Sequence, residues 1–258
     1  MSASNDSFAK TIFVAVALCL VCSLVVSGAA VMLKEDQQAN KAADVQRSIL
    51  IAAGIVGPNE QANFSQLFAD KIEAQVIELG TGEVASDKST KDFDQRQAAK
   101  DPATSVKLSK KDDPASIKRR SNYGKVYLVK ENGKLSKVVL PIHGYGLFST
   151  MYGFVALEND TRTVAGIRFY EHGETPGLGA EITNPQWIAQ WDGKKVLSED
   201  YKPNLEVVKT GAEQPNEVDA LSGATYTSTG VENLINYWLG DNAFGPFLKK
   251  LRGGKHGV

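Results

Sequence analysis

The chain has 258 residues, of which 23 % are charged, with a formal net charge of -1, two cysteines and three histidines. That length suits one sizeable domain or two small ones, and the interspersed charges leave no basic stripe of the kind a nucleic acid needs. The densest basic run, Lys118-Arg119-Arg120, reads as a solvated loop. Both cysteines, Cys19 and Cys22, lie in the apolar N-terminal stretch, so the rest of the chain holds neither a disulfide framework nor a cysteine-ligated metal.

From Thr11 to Leu33 the sequence carries no charge, and about 20 apolar residues suffice for a helix to cross a bilayer. Ser27-Gly28-Ala29 resembles a cleavage site, but the apolar stretch exceeds the roughly 7–15 residues of a signal-peptide core, which favours a retained anchor. Cys19 and Cys22 share a helix face there and read as small apolar filling. Lys10 precedes the span while Lys34, Lys41 and Arg47 follow it, a balance that does not fix the orientation.

Beyond the span, Val45, Ile49, Ala52, Ala53 and Val56 follow helical spacing up to Gly57-Pro58. Asn59 reads as the cap of a second helix with an apolar face of Phe64, Leu67, Phe68, Ile72, Val76 and Leu79, closed by Gly80. From Thr81 to Asn122 polar residues dominate, predicting a long irregular excursion. Strand signals follow: Val126 to Val129 and Val138 to Leu140 flank Asn132-Gly133, a hairpin-turn pair, and Phe154 to Leu157 with Val164 to Tyr170 form a second hairpin. Helical patterns return at 184–191, 229–239 and 243–251. The fold class is therefore α+β, with a mostly antiparallel sheet flanked by helices, and the expected division is 1–10, a transmembrane helix at 11–33, a helical pair and excursion at 34–122, and an α+β domain at 123–258.

The segment Asp219-Ala220-Leu221-Ser222-Gly223-Ala224-Thr225-Tyr226-Thr227-Ser228 is dense in small and hydroxylated residues. Thr229 and Glu232 have capping-box spacing, which predicts a helix from about Gly230. A phosphate near that start would meet free backbone N–H groups and the positive end of the helix dipole. The same residues also read as a plain hydroxyl-rich cap and turn.

The pattern D-x-x-S-G-A-T-x-T-S resembles the flavinylation signature of the covalent FMN-binding domain family, found in the C subunit of sodium-translocating NADH:quinone reductase and the G subunit of the Rnf complex. His172-Gly173-Glu174-Thr175-Pro176-Gly177-Leu178-Gly179 resembles that family's loop beside the flavin, and the stretch from His143 to Tyr152 is similar to it as well. The resemblance implies FMN joined through its phosphate to Thr225, with Asp219, Ser222, Gly223, Ala224 and Thr227 in the surrounding motif. It places His172, Glu174, Thr175, Gly177, Leu178 and Gly179 near the flavin, and assigns no catalytic residue and no metal to this chain. It further implies a periplasmic domain that relays electrons among partner subunits, especially B, D and E, after maturation by a flavin transferase that uses FAD and Mg²⁺. Chain length favours the sodium pump over the shorter Rnf subunit. A non-redox anchored binding or assembly subunit is the alternative of a different class.

Overall fold

The structure, a computed structural model, describes residues 8–253. The chain divides into two compact units, Met1–Asp44 and Val45–Val258. In the first, α1 (Phe8–Met32) buries none of its residues and has a mean hydropathy of 2.7. Its 25 residues span about 38 Å at 1.5 Å each, against a hydrocarbon core of about 30 Å. Cys19 and Cys22 both lie exposed on it.

α2 (Lys34–Ala52) begins in the first unit and ends in the second, five residues before the expected Gly57-Pro58 stop. Gly54, at φ +68°, turns the chain there: its amide bonds Ile51 O and that of Ile55 bonds Leu50 O, the paired bonds of a Schellman ending. The next helix, α3 (Phe64–Lys71), is capped by Asn63 rather than Asn59, with its side-chain oxygen accepting from the Gln66 amide.

The expected continuation of that helix to Leu79 is instead a strand, β1 (Ile72–Glu78). Ile72 and Val76, four residues apart, share a face in either geometry, so the spacing fits both periods. Pairing decides, because β1 lies antiparallel on a neighbouring strand along its full length.

The excursion contains α4 (Gln95–Lys100), β2 (Ser105–Lys107) and β3 (Arg119–Ser121), and it packs onto the domain: Ala115 is buried and its carbonyl accepts from the Tyr145 amide. The two expected hairpins follow as β4 (Tyr123–Glu131) with β5 (Lys134–Tyr145), and β6 (Thr150–Glu158) with β7 (Val164–Glu171). Asn132 and Gly133 both have positive φ in the first turn, the two-residue geometry that suits strand twist. The five-stranded antiparallel sheet has the order β1-β4-β5-β6-β7.

Both faces of this sheet are covered, which explains why Val126 to Val129 reads as a continuous apolar run rather than an alternating one. Val126 and Leu128 pack on one side with Val138, Leu140 and Val155, while Tyr127 and Val129 pack on the other with Ile49, Leu50 and Phe154. After β7 come a 3₁₀ turn at Gly179–Thr183, α5 (Pro185–Ala189) and a short parallel pair, β8 (Glu206–Val208) and β9 (Glu217–Asp219). α6 (Thr225–Trp238) and α7 (Gly245–Arg252) close the chain, with Val231, Leu234, Ile235, Trp238, Phe247 and Leu248 in the first core.

On the second face Gly166 of β7 sits directly beneath the Ala52 carbonyl of α2, so that an added methyl would collide with backbone. Gly166→Ala is expected to lower stability by about 1–3 kcal/mol, read as a lower urea midpoint with an unchanged slope.

Candidate functional site

The hydroxyl-rich segment opens α6 five residues earlier than the capping-box spacing suggests. Glu232 does not reach back to cap; its carboxylate accepts from the Val207 amide at 2.8 Å. Ser228 is buried and does the local work, donating to Ala224 O and accepting from the Leu221 amide, both at 3.0 Å. Thr225 is thus the first residue of the helix, and the N-cap position is Ala224, whose side chain has no oxygen to offer. The first intrahelical amide bond runs from Ser228 to Ala224 O, leaving the amides of Thr225, Tyr226 and Thr227 without intrahelical partners.

Asp219 ends β9 just upstream, where its carbonyl accepts from Trp187 Nε1 and its carboxylate from the Ala212 amide, both at 2.8 Å. These bonds fix the direction from which the chain enters the Ser222-Gly223 turn. Ser222, Gly223 and Thr225 are all exposed. Gly223 has φ +72°, and Leu178 lies against it, 3.1 Å from where a Cβ would stand.

Beneath this surface Glu174 is 5 % exposed, and its carboxylate receives four donors. The amides of Leu147, Phe148 and Ser149 bond it at 3.2, 3.0 and 3.1 Å, and the buried Thr227 hydroxyl at 2.7 Å. Burial alone would raise its pKa, but the bonds from Thr227 and from the amides of Phe148, Leu147 and Ser149 outweigh it and hold the group below the usual carboxylate range. Gly146 and Gly179 close over the carboxylate: a Cβ would stand 2.7 Å from a Glu174 oxygen at the first and 2.6 Å from Thr227 Oγ1 at the second. Glu174 therefore ties the 146–149 loop, the 172–179 loop and the first turn of α6 into one surface.

The bonding leaves apolar side chains facing outward. Phe148 is 61 % exposed and Tyr226 73 %, with Leu147 and Leu178 also exposed. His172 accepts from the Glu174 amide at Nδ1, 3.3 Å away, which orients its loop. Thr175 accepts through its carbonyl from the amides of Leu178 and Ala180, and Gly177 at φ +73° makes that turn possible. His143 lies apart from the surface, stacked on Tyr152 and against Trp238; burial first, and the nearby Arg96 second, push it down to about 4. His256 lies outside the described residues.

Sequence reasoning placed aromatics of the 143–152 stretch beside the ring, but missed that its amides converge on a carboxylate. The donors lie 25 to 27 residues from Glu174 along the chain, and no local pattern announces such a pairing. Tyr226 escaped notice because it stands inside the signature between two threonines.

Residues 145–240, which include both loops and all of α6, match the family described as the FMN-binding domain. The donor-rich helix start, the exposed hydroxyl and the outward apolar side chains fit a phosphate joined to a flat ring. Over its full length the chain is 51 % identical to the C subunit of Na(+)-translocating NADH-quinone reductase from Vibrio anguillarum, covering 98 % of this chain and 99 % of that one. It is 45 % identical to the protein of the same name from Pseudomonas aeruginosa, covering 98 % and 99 %. The crystal structure of Shewanella oneidensis NqrC superposes with a TM-score of 0.77 at 41 % identity, over 83 % of this chain and 99 % of that one. That of the C subunit from Parabacteroides distasonis gives 0.63 at 28 %, over 84 % and 96 %. The chain belongs to the family formed by the C subunits of Na(+)-translocating NADH-quinone reductases.

Glu174→Gln replaces an all-acceptor group with one that carries its own donors, and is expected to cost about 2 kcal/mol at neutral pH. The unfolded chain takes up the Glu174 proton at higher pH than the folded one. The carboxylate's contribution is thus complete above about pH 4.3 and is lost as pH falls through the lower folded value. In urea titrations the gap between wild type and variant should narrow over that acid range.

Proposed function

We propose that Thr225 carries FMN through a phosphoester at Oγ1, and that the chain is an electron-relay subunit of a Na⁺-translocating NADH:quinone oxidoreductase. The observation that carries the assignment of Thr225 is its place as the exposed first residue of α6, on a helix with no side-chain cap. In the attachment, FAD's pyrophosphate bond breaks, Thr225 Oγ1 loses its proton as it bonds the FMN phosphorus, and AMP leaves; a flavin transferase with Mg²⁺ performs the step. Bound FMN supplies electron transfer.

The chain's own residues hold and orient. The amides of Thr225, Tyr226 and Thr227, with the positive end of the helix, stabilise phosphate charge. Ser222 and Gly223 keep the approach to Thr225 open, and Ala224, at the cap, leaves the helix end uncapped for that phosphate. Phe148, Leu147, Leu178 and Tyr226 present apolar surface to the ring, while Glu174, His172, Thr175, Gly177 and Gly179 fix the loops that carry it. The outward placement of these side chains leaves the ring's exposed edge available to another redox centre, as a relay requires.

The N-terminal helix anchors the chain in the bacterial inner membrane, with the FMN domain on the periplasmic side. The chain does not catalyse the reaction alone. Its partners in this reading are the B, D and E subunits, and NADH oxidation and quinone reduction belong to the complex.

Co-expression with a flavin transferase, followed by denaturation and mass spectrometry, tests the attachment. The peptide containing Thr225 should gain the mass of FMN less water, and Thr225→Ala should abolish the gain while leaving the far-ultraviolet circular dichroism unchanged. An unmodified wild-type peptide, beside a control substrate that the transferase does modify, would refute it.

A further inference from the structure

Two guanidinium groups meet on the face of the sheet opposite α6. Gly166 of β7 lies beneath Ala52 of α2. Arg168 stands two residues further along β7 and Arg47 five residues back along α2, so both leave that contact in the same direction. Arg168 sits on this face because its cross-strand neighbour Phe154 belongs to the second core. The field of Arg47 adds to burial in lowering the Arg168 pKa, which places the two charges within reach of each other.

Neither charge is compensated by the chain. Among the described residues no carboxylate lies within ion-pair distance of Arg47 or Arg168. The Nε atoms of both are buried without a hydrogen-bond partner. Arg47 donates to Pro58 O at 2.8 Å and lies 5.3 Å from the Phe64 ring centre, so it is held in place but not neutralised. A cavity of about 460 Å³ opens beside it, lined by Arg47, Asn59, Glu60, Gln61, Ala62 and Phe64. Glu60 is the acidic group of that lining, and its carboxylate accepts from the Gly57 amide at 2.9 Å. On the β-strand side Lys137 donates to Ala53 O, which adds a third positive charge to this face.

Two like charges, partly buried with unmet donors, are costly to keep together unless an anion sits between them. Guanidinium presents a planar fork that matches a carboxylate with two parallel bonds. We propose that Arg47 and Arg168 form the receptor for a carboxylate side chain of a partner subunit, entering through the cavity beside Arg47. The proposal rests on the reading of this chain as one subunit of a complex. It assigns the sheet's second face to assembly, away from the flavin face.

The test compares Arg168→Gln with wild type in two states. In the free full-length chain in detergent, removing one of two facing charges should raise the thermal midpoint, by about 2 °C. In the purified complex the same change should lower the NaCl concentration that halves retention of the chain, by at least about twofold. Arg168→Lys, which keeps charge but not the fork, should fall between. Opposite signs in the two states support a partner carboxylate. A lower midpoint in the free chain would make Arg168 a structural residue and overturn the proposal. So would stabilisation of the free wild-type chain, lost in the variant, by inorganic phosphate or by phosphatidylglycerol vesicles, since the anion would then be a phosphate. Retention of the wild-type chain at low salt checks the subunit reading separately.

Discussion

A buried carboxylate that accepts four hydrogen bonds organises the functional end of this domain. Glu174 is stabilised as an anion only because three consecutive amides and one hydroxyl converge on it. Any one of those donors would be poorly satisfied without it, and a buried carboxylate lacking them would protonate or expel its loop. The chemistry of the surface above follows from that arrangement. Amides turned inward leave Leu147 and Phe148 turned outward, and a Thr227 hydroxyl turned inward sets the rotation of α6 that brings Thr225 to the open side.

The rest of the fold supplies the rigidity on which this depends. β5 and β6 bracket the 146–149 loop and pair along nine residues, from Lys137↔Glu158 to Tyr145↔Thr150. α6 lies close on β5: Gly144 faces the Leu234 side chain, and Gly230 faces the Tyr145 carbonyl. Trp238 Nε1 donates to His143 O at 2.6 Å, pinning the far end of α6 to the same strand. The loops therefore hang from a sheet covered on both faces, and the apolar side chains they present are displayed by a stiff support rather than by a mobile one.

Much of this was legible in the sequence where local rules agree with the tertiary outcome. Asn132-Gly133 between two apolar runs named its hairpin, and the glycine and hydroxyl pattern from Ser222 to Thr227 marked the site. The failures have physical causes. Ile72 and Val76 fit helix and strand equally, and only pairing with β4 chose between them. The start of α6 was masked because Thr225, Thr227 and Ser228 have weak helix propensity; Ser228 bonds locally and Thr227 bonds Glu174, which frees the backbone to wind. The polar excursion gave no sign that Arg96 would lie over the Tyr152 ring, 3.4 Å from its centre, or bond Tyr170 and Glu171. The pairing of Arg47 with Arg168 joins positions on separate elements and has no sequence signature at all.

The bond between Thr227 and Glu174 spans 53 residues of chain. Loop closure over such a distance is a late reward in folding, paid out only after the intervening strands have found their register. The S-G-A-T segment is contiguous, yet the shape around its threonine is not stored in those few residues. A short peptide of the same sequence would offer the hydroxyl without the uncapped helix start, the apolar wall or the buried anion that holds them together, so the surface presented at Thr225 is itself a readout of completed folding.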